Sequence, residues 1–342
     1  LQAFEDDPDV TLVNYGQALE LLPPQWEAEI QDATSSSCFH GVERWRSHCG
    51  CNSGTGWHQK WRAPLRESLD WLRDELAPRF EKAAGDLLAD PWKARDEYVG
   101  VMLRREPESR SRFLAAHRRR PLETADEVRV LQLMELQRHA QLMYTSCGWF
   151  FDDLSGIETV QVIQYAGAAL HLAETLFGEE GLEAGFLERL GRARSNLPEQ
   201  GNGAELYRKR VKPAVVDLLK VGAHYGISSL FEGYPERAKL YAYTVERDDQ
   251  RVVEAGWARL LLGRARFSSD VTQEQASLSY GVLHYGHHTV VGGVREYAGP
   301  EAFEEMVADA TAAFERADFA EAVRAMDRQF GSSSYSLKTL FK

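Results

Sequence analysis

The sequence predicts an α+β chain that is mainly α, with a helical bundle-like region followed by a small antiparallel sheet and C-terminal helices. Three observations carry that reading. Apolar side chains at Leu65, Leu69, Leu72, Leu76 and Phe80 fall on one helix face. After FEGYP at 231–235 the pattern changes to the β-rich runs KLYAYTVER, RLLLGRARFSS and SLSYGVLHYGHHTVVGGVREY. Helical periodicity then returns in EAFEEMVADATAAFERA and EAVRAMDRQF. A chain of 342 residues exceeds what one core usually supports. It is expected to divide into 1–33, too short to fold alone, a helical domain over 34–230, and a sheet with helices over 231–342.

Each element has its own signal. TLVNY at 11–15 is a short apolar run ahead of Pro23 and Pro24, and it reads as a strand followed by a short helix and an exit loop. The first long helix starts near Trp61, tolerates Pro64 in its first turn and is expected to kink or break at Pro78. A second begins after Thr124, whose side chain can cap it with Glu127 as the capping-box partner, and ends near Tyr144. A third follows Gly156 and stops at Gly178. Shorter helices are expected over 182–194 and 212–225, on either side of the loop SNLPEQGNG. The final YSLKTLFK reads as the start of a helix.

Composition excludes several function classes. Apolar residues make up 44% and charged residues 27%, an ordinary globular balance. No run of about 18 apolar residues exists to span a membrane. Acidic residues outnumber basic ones, 52 to 40, and the formal charge of −12 opposes a phosphate-tracking surface despite the local RRRP at 118–121. Neither nucleic acid nor membrane is therefore expected as a partner. The opening LQAFEDDPDV has no signal-peptide pattern and no initiator Met, so the expectation is a cytoplasmic chain cut from a longer protein. Four cysteines, three of them clustered, do not form a disulfide framework over this length.

Two dense segments carry the candidate chemistry. CFHGVERWRSHCGC at 38–51 offers Cys38, His40, His48, Cys49 and Cys51 as ligands for zinc or an iron–sulfur cluster, with Cys147 as a distant fourth thiol. The competing reading makes these thiols small buried hydrophobes, and contact between the two segments without a metal is the favoured one. Convergence of several thiolates, however, would imply a cation, because unneutralised they repel. Arg44 and Arg46 flank Trp45 and suit either an anion or ion pairs at a helix end.

YTSCGWFFDDLSGIET at 144–159 is the second segment, and rings beside paired carboxylates are what sugar chemistry requires. Trp149 would stack on a sugar, with Trp45, Trp57 and Trp61 in or beside the dense segments as further rings, although a helix-face Trp can equally fill a core. Asp152 and Asp153 are either ligand-binding groups or helix caps. Glu158, Gln161 and Tyr165 form a polar stripe on the third helix, and Gln137, Gln141 and Tyr144 form one on the second. Facing each other, the stripes would line a polar cleft. His284, His287 and His288 cluster in the sheet region, without a carboxylate at metal-site spacing, and read as structural.

The ordered motifs CFHGVERWRSHCGC, GWHQKWRAPLRESLDWLRDEL, YTSCGWFFDDLSGIETVQVIQYA, LHYGHHTVVGGVREY, AVRAMDRQFG and YSLKTLF resemble a domain of unknown function, 3536, which follows the catalytic domain in bacterial proteins like glycoside hydrolase family 57. The resemblance runs from about residue 34 to the last, and TLVNYGQALELLPP resembles the last strand and exit of the preceding barrel. It implies an accessory region of an α-glucan hydrolase or transferase, whose upstream catalytic domain, fused or separate, carries a Glu nucleophile and an Asp acid/base. This chain would help form the substrate cleft and bind carbohydrate, yet be inactive alone. The positions matching the family motifs are Cys38, His40, Arg44, Trp45, Cys49, Cys51, Trp57, Trp61, Arg62, Cys147, Trp149, Asp152, Asp153 and Glu158; the family assigns them no role. TSSSC at 34–38 places Ser36 where the family pattern has Trp, and GHH places His287 where it has Asp. A metal- or iron–sulfur-binding module and a purely structural interaction domain remain the alternatives.

Overall fold

The computed structural model describes residues 4, 7–54, 56–178, 181–286, 289–331 and 334–336. The first 43 residues form a compact unit of their own. Its helix α1, Tyr15–Leu21, is capped by Asn14, whose side chain accepts the Gln17 N–H while the Gln17 side chain accepts the Asn14 N–H. Residues 11–14 are not the strand their apolar run predicts. Leu12 and Val13 are exposed, and 11–14 pair with no strand among the described residues, so the run lacks the ladder that would fix it.

From Arg44 onward the chain is α+β and mainly α, as the periodicities predict. The long helix α2, Arg62–Gly85, buries Leu65, Leu69, Leu72, Leu76 and Phe80, the five positions that announce it. Pro78 lies inside this helix and does not end it: the buried face continues through Phe80 to Ala84, and that packing outweighs one missing backbone donor. Short helices α3 (Pro91–Glu97), α4 (Val99–Leu103) and α5 (Pro107–His117) follow. The helix α6, Thr124–Leu142, is capped one residue earlier than its sequence suggests. Glu123 is the N-cap and Asp126 completes the box, accepting the Glu123 N–H at 3.2 Å. The helix α7, Ile157–Phe177, packs along α6 and ends at Gly178, whose φ of 63° is the left-handed stop expected there. The helix α8, Leu182–Leu190, packs on α2. A single turn, α9 (Gly203–Leu206), leads through a π-turn and a 3-10 turn to α10, Leu218–Ser228, where the sequence suggested one helix over 212–225.

The predicted small sheet is a six-stranded antiparallel meander in chain order: β1 (Arg237–Leu240), β2 (Tyr243–Ala255), β3 (Ala258–Ser269), β4 (Gln275–His284), β5 (Val290–Glu296) and β6 (Ser334–Ser336). The run YSLKTLFK thus opens as the end of a strand, and its last six residues lie outside the described ones, as do His287 and His288. The strands have two buried faces, which is why the sequence runs apolar rather than strictly alternating. Leu261, Ala265 and Phe267 of β3 face α10, while Leu260 and Leu262 face α11 (Pro300–Glu315) and α12 (Phe319–Phe330). Tyr225 of α10 meets the rings of Phe267 and Tyr280 edge-on at 5.7 and 5.5 Å, which sets the helix on the sheet.

Close approach on the other face depends on glycine. A Cβ at Gly293 would stand 2.3 Å from Cγ of Phe330, near the root of that side chain, and one at Gly281 would meet its ring edge at 2.8 Å. Gly293→Ala is therefore expected to destabilise the chain by about 1–3 kcal/mol through overpacking. A urea-denaturation midpoint equal to that of the wild type would reject this account of how α12 seats on the sheet.

Candidate functional site

The two dense segments meet, through indole and guanidinium groups donating to backbone carbonyls. The turn at 146–153 presents its carbonyls inward, and side chains from 44–62 donate to them. Trp45 Nε1 donates to the Ser146 carbonyl at 3.0 Å, Arg44 to that of Phe150, Arg62 Nη2 to that of Phe151 at 3.2 Å and Trp61 Nε1 to that of Asp152 at 3.0 Å. Thr159 of α7 takes the Gly148 carbonyl at 2.7 Å. These are obligatory acceptors in a turn of which Gly148, Trp149, Asp152 and Asp153 are buried, and Arg and Trp are donors long enough to reach them.

Asp152 and Asp153 sit at the centre, 7% and 5% exposed. Asp152 Oδ2 accepts both the N–H and the hydroxyl of Ser53, and its Oδ1 accepts from Gln59 at 3.4 Å. Asp153 is still better satisfied: Oδ1 accepts the N–H and hydroxyl of Ser155 and the Ser195 hydroxyl at 2.7 to 2.8 Å, and Oδ2 accepts the backbone and side-chain N–H of Asn196 at 2.6 and 2.9 Å. Asn196 closes the knot by donating to the His58 carbonyl and accepting the His58 N–H. Burial works to raise both carboxyls, but these hydrogen bonds, with the charges of Arg62 and Arg44 for Asp152, outweigh it and hold both below the usual carboxylate range. Both oxygens of Asp153 are saturated by the protein. An acid/base pair needs two environments that push its pKa values apart, whereas this pair is pushed the same way.

The remaining sugar-site expectations fare differently. Trp149 and Trp61 are 1% and 0% exposed and belong to the helical core, so neither offers a ring face to a sugar. Arg44 is 7% exposed; Trp45 packs half-buried on the core, Trp57 is half-buried, and Glu158 lies half-buried in the first turn of α7. The two polar stripes do not face each other. Gln137, Gln141 and Tyr144 line one cavity with Arg66, Arg73 and Trp92. Gln161 and Tyr165 line a different one, of about 570 Å³, between α6, α7 and the β2 and β3 ends of the sheet. The helical period places Gln132, Glu135 and His139, not the predicted stripe, across from Gln161, Gln164 and Tyr165.

That larger cleft rests on a buried charge the sequence reading missed. Glu135 of α6, 3% exposed, accepts from Tyr98 at 2.8 Å, Arg105 at 3.1 Å and Arg138 at 2.8 Å. Burial opposes its ionisation, and Tyr98 and the two guanidinium groups outweigh burial, holding it below the usual range. Burial pulls His139 below the ordinary imidazole value, so it is neutral at pH 7, and its Nδ1 is buried with no hydrogen-bond partner among the described residues. The signal for this set was available: Gln132, Glu135 and His139 fall at i, i+3 and i+7, with Leu131, Leu133, Met134 and Leu136 apolar beside them.

Cys38 and His40 lie in the first unit, the Cys38 Sγ standing 3.9 Å from the His40 Nδ1. Cys49 lies in the second, where Arg62 donates to its Sγ at 3.6 Å, and Cys147 is exposed. The His48 Nδ1 accepts the Gln59 N–H at 3.3 Å.

Residues 57–341 match the model of a family described as Domain of unknown function (DUF3536). No curated protein and no solved structure matches the chain.

The knot gives a direct test. Asn196→Ala removes the side-chain donor from a buried carboxylate and is expected to lower stability by about 2–3 kcal/mol at pH 7. Asp153 has a folded pKa below its unfolded value of about 3.9, so its contribution is complete above that value and is lost as pH falls through the folded one. The gap between wild type and variant should therefore shrink below about pH 4. Parallel stability curves from pH 7 to pH 3 would contradict the role given to Asp153.

Proposed function

The chain belongs to the DUF3536 family, and we propose that it is a non-catalytic accessory region of a carbohydrate-active protein resembling glycoside hydrolase family 57, with the cleft between α6, α7 and the sheet as its sugar-binding surface. The observation that carries this reading is the lining of that cleft. Gln132, Gln161 and Gln164 supply amides, His139 and His171 imidazoles, and Tyr165 a ring. Amides both donate to and accept from hydroxyl groups, and so does the neutral His139 imidazole, which suits a neutral polyol. The one deeply buried charge in the lining, Glu135, is already paired with Arg105 and Arg138.

The reading of the chain as non-catalytic is supported by Asp152 and Asp153, whose oxygens are committed to the fold. The acid and base of an α-glucan-active protein would then belong to a catalytic domain that works with this one, fused or separate. Among the described residues no helix is long and apolar enough to cross a membrane.

Titration calorimetry with maltose and maltotriose tests the binding half. Saturable binding is expected in the wild type, and about tenfold weaker binding in Gln161→Ala, the equivalent of one lost hydrogen bond at roughly 1.4 kcal/mol. No heat above dilution at millimolar sugar removes the cleft from consideration. Product analysis on amylose tests the other half. No turnover is expected from this chain alone, and turnover abolished by Asp152→Asn would place the chemistry here.

A further inference from the structure

We propose that the cavity between α2, α3 and α6 binds a small organic oxyanion, whose phosphate or carboxylate group is held by Arg66, Arg95 and Gln137. This cavity shares no lining residue with the cleft given to sugar, and its ligand does not depend on that reading. All of its lining lies in the unit that begins at Arg44. Its volume of about 340 Å³ is within the range of small-molecule sites, roughly 300–1,000 Å³.

The lining is rich in donors. Arg66 and Arg73 come from α2, Arg95 from α3, and Gln137 and Gln141 from α6, against Asp74 as the one carboxylate among the described lining residues. Donors on three helices suit an oxyanion, which accepts from several sides at once. Rings hold the guanidinium groups in place. Arg66 and Arg73 stand 4.8 and 5.9 Å from the centre of the Tyr144 ring, and Arg95 stands 5.0 Å from that of Trp92. Burial and the neighbouring Asp70 push the Tyr144 hydroxyl above the ordinary phenol value, so it stays protonated and donates to Asp70 at 2.7 Å. Asp70 also accepts from Arg66 Nε at 3.1 Å and Arg73 Nη1 at 3.0 Å, which fixes all three side chains around one carboxylate.

Two guanidinium nitrogens and one amide are left over. Arg66 uses Nε on Asp70 and Nη1 on the Trp45 carbonyl, and its Nη2 has no hydrogen-bond partner among the described residues. Arg95 uses Nε and Nη2 on Asp96, and its Nη1 has none among them. The Asp96 side chain is 64% exposed, and an ion pair so open to water does little to hold an arginine away from a competing anion. Gln137 is the independent observation. It is only 5% exposed and its amide takes no hydrogen bond from a described residue, yet the amide is not shut off from solvent, so it opens on the cavity it lines. An unpaired amide this deep costs stability that a leucine would not, unless something in the cavity uses it. Surface ion pairing alone accounts for the arginines but not for Gln137.

The test titrates the whole chain by calorimetry, at pH 7 and low salt, with glycerol 3-phosphate, inorganic phosphate and succinate, and with glycerol as the uncharged control. Saturable binding of at least one anion at millimolar concentration or below is expected, with none of glycerol, and the tighter of the phosphate and carboxylate arms names the group. Arg95→Gln is expected to weaken that binding about tenfold or more, the scale of one hydrogen bond to a charged group. Gln137→Leu takes only the amide from the cavity, so affinity should fall about fivefold while the urea midpoint stays level or rises. An amide that served the fold alone would give the opposite pair, unchanged affinity and a lower midpoint. Three results overturn the inference: none of the three anions binds, glycerol binds as well as glycerol 3-phosphate, or both variants bind like the wild type.

Discussion

Two adjacent aspartates must be kept ionised inside the protein, and the arrangement of the helical region follows from how that is done. Burying a carboxylate is costly unless its lone pairs are filled. Asp152 and Asp153 recruit Ser53, Gln59, Ser155, Ser195 and Asn196 from three separated stretches of chain. Each acceptance fixes a loop: 53–59 is tied to the turn before α7, and the loop after α8 is tied to both. Around this pair, Arg44, Trp45, Trp61 and Arg62 satisfy the carbonyls of the same turn. A network of this kind rigidifies when complete and is costly when broken, so its members act as a unit.

The same physics separates the charged groups that hold the fold from those that remain available to a ligand. Asp152, Asp153, Arg44 and Arg62 look like catalytic or anion-binding residues in the sequence, yet each is engaged by backbone. Glu135 is engaged too, by a tyrosine and two arginines, but it lies in the wall of an open cleft that also presents Gln132, Gln161, Gln164, His139 and His171.

Much of the architecture was legible because it rests on periodicity. The face of α2, the stop of α7 at Gly178, the change to strands after FEGYP and the return to helices at α11 are all local patterns that tertiary packing reinforces. Where local pattern and packing disagree, packing prevails. Pro78 stays within a helix because Leu76, Phe80 and Ala84 remain buried around it, and TLVNY forms no strand because an apolar run without a partner has no ladder. The cap at Glu123 rather than Thr124 departs from the Thr-x-x-Glu box that sequence preference favours, by the one residue within which helix ends shift.

By itself the sequence determined the fold class, the order of helices and strands, and the two segments where polar chemistry is concentrated, because hydrophobic period and turn residues are written locally. Only the tertiary structure decided what those segments do. It placed Trp149 in the core rather than on a sugar, sent the stripes of α6 and α7 to different cavities, and set His139 and Glu135 into the cleft wall. The reason is that a side chain's role depends on which distant group fills its hydrogen bonds or shares its volume. Asn196 lies 43 residues from Asp153, and Ser53 lies 99 from Asp152, separations across which no sequence period carries information.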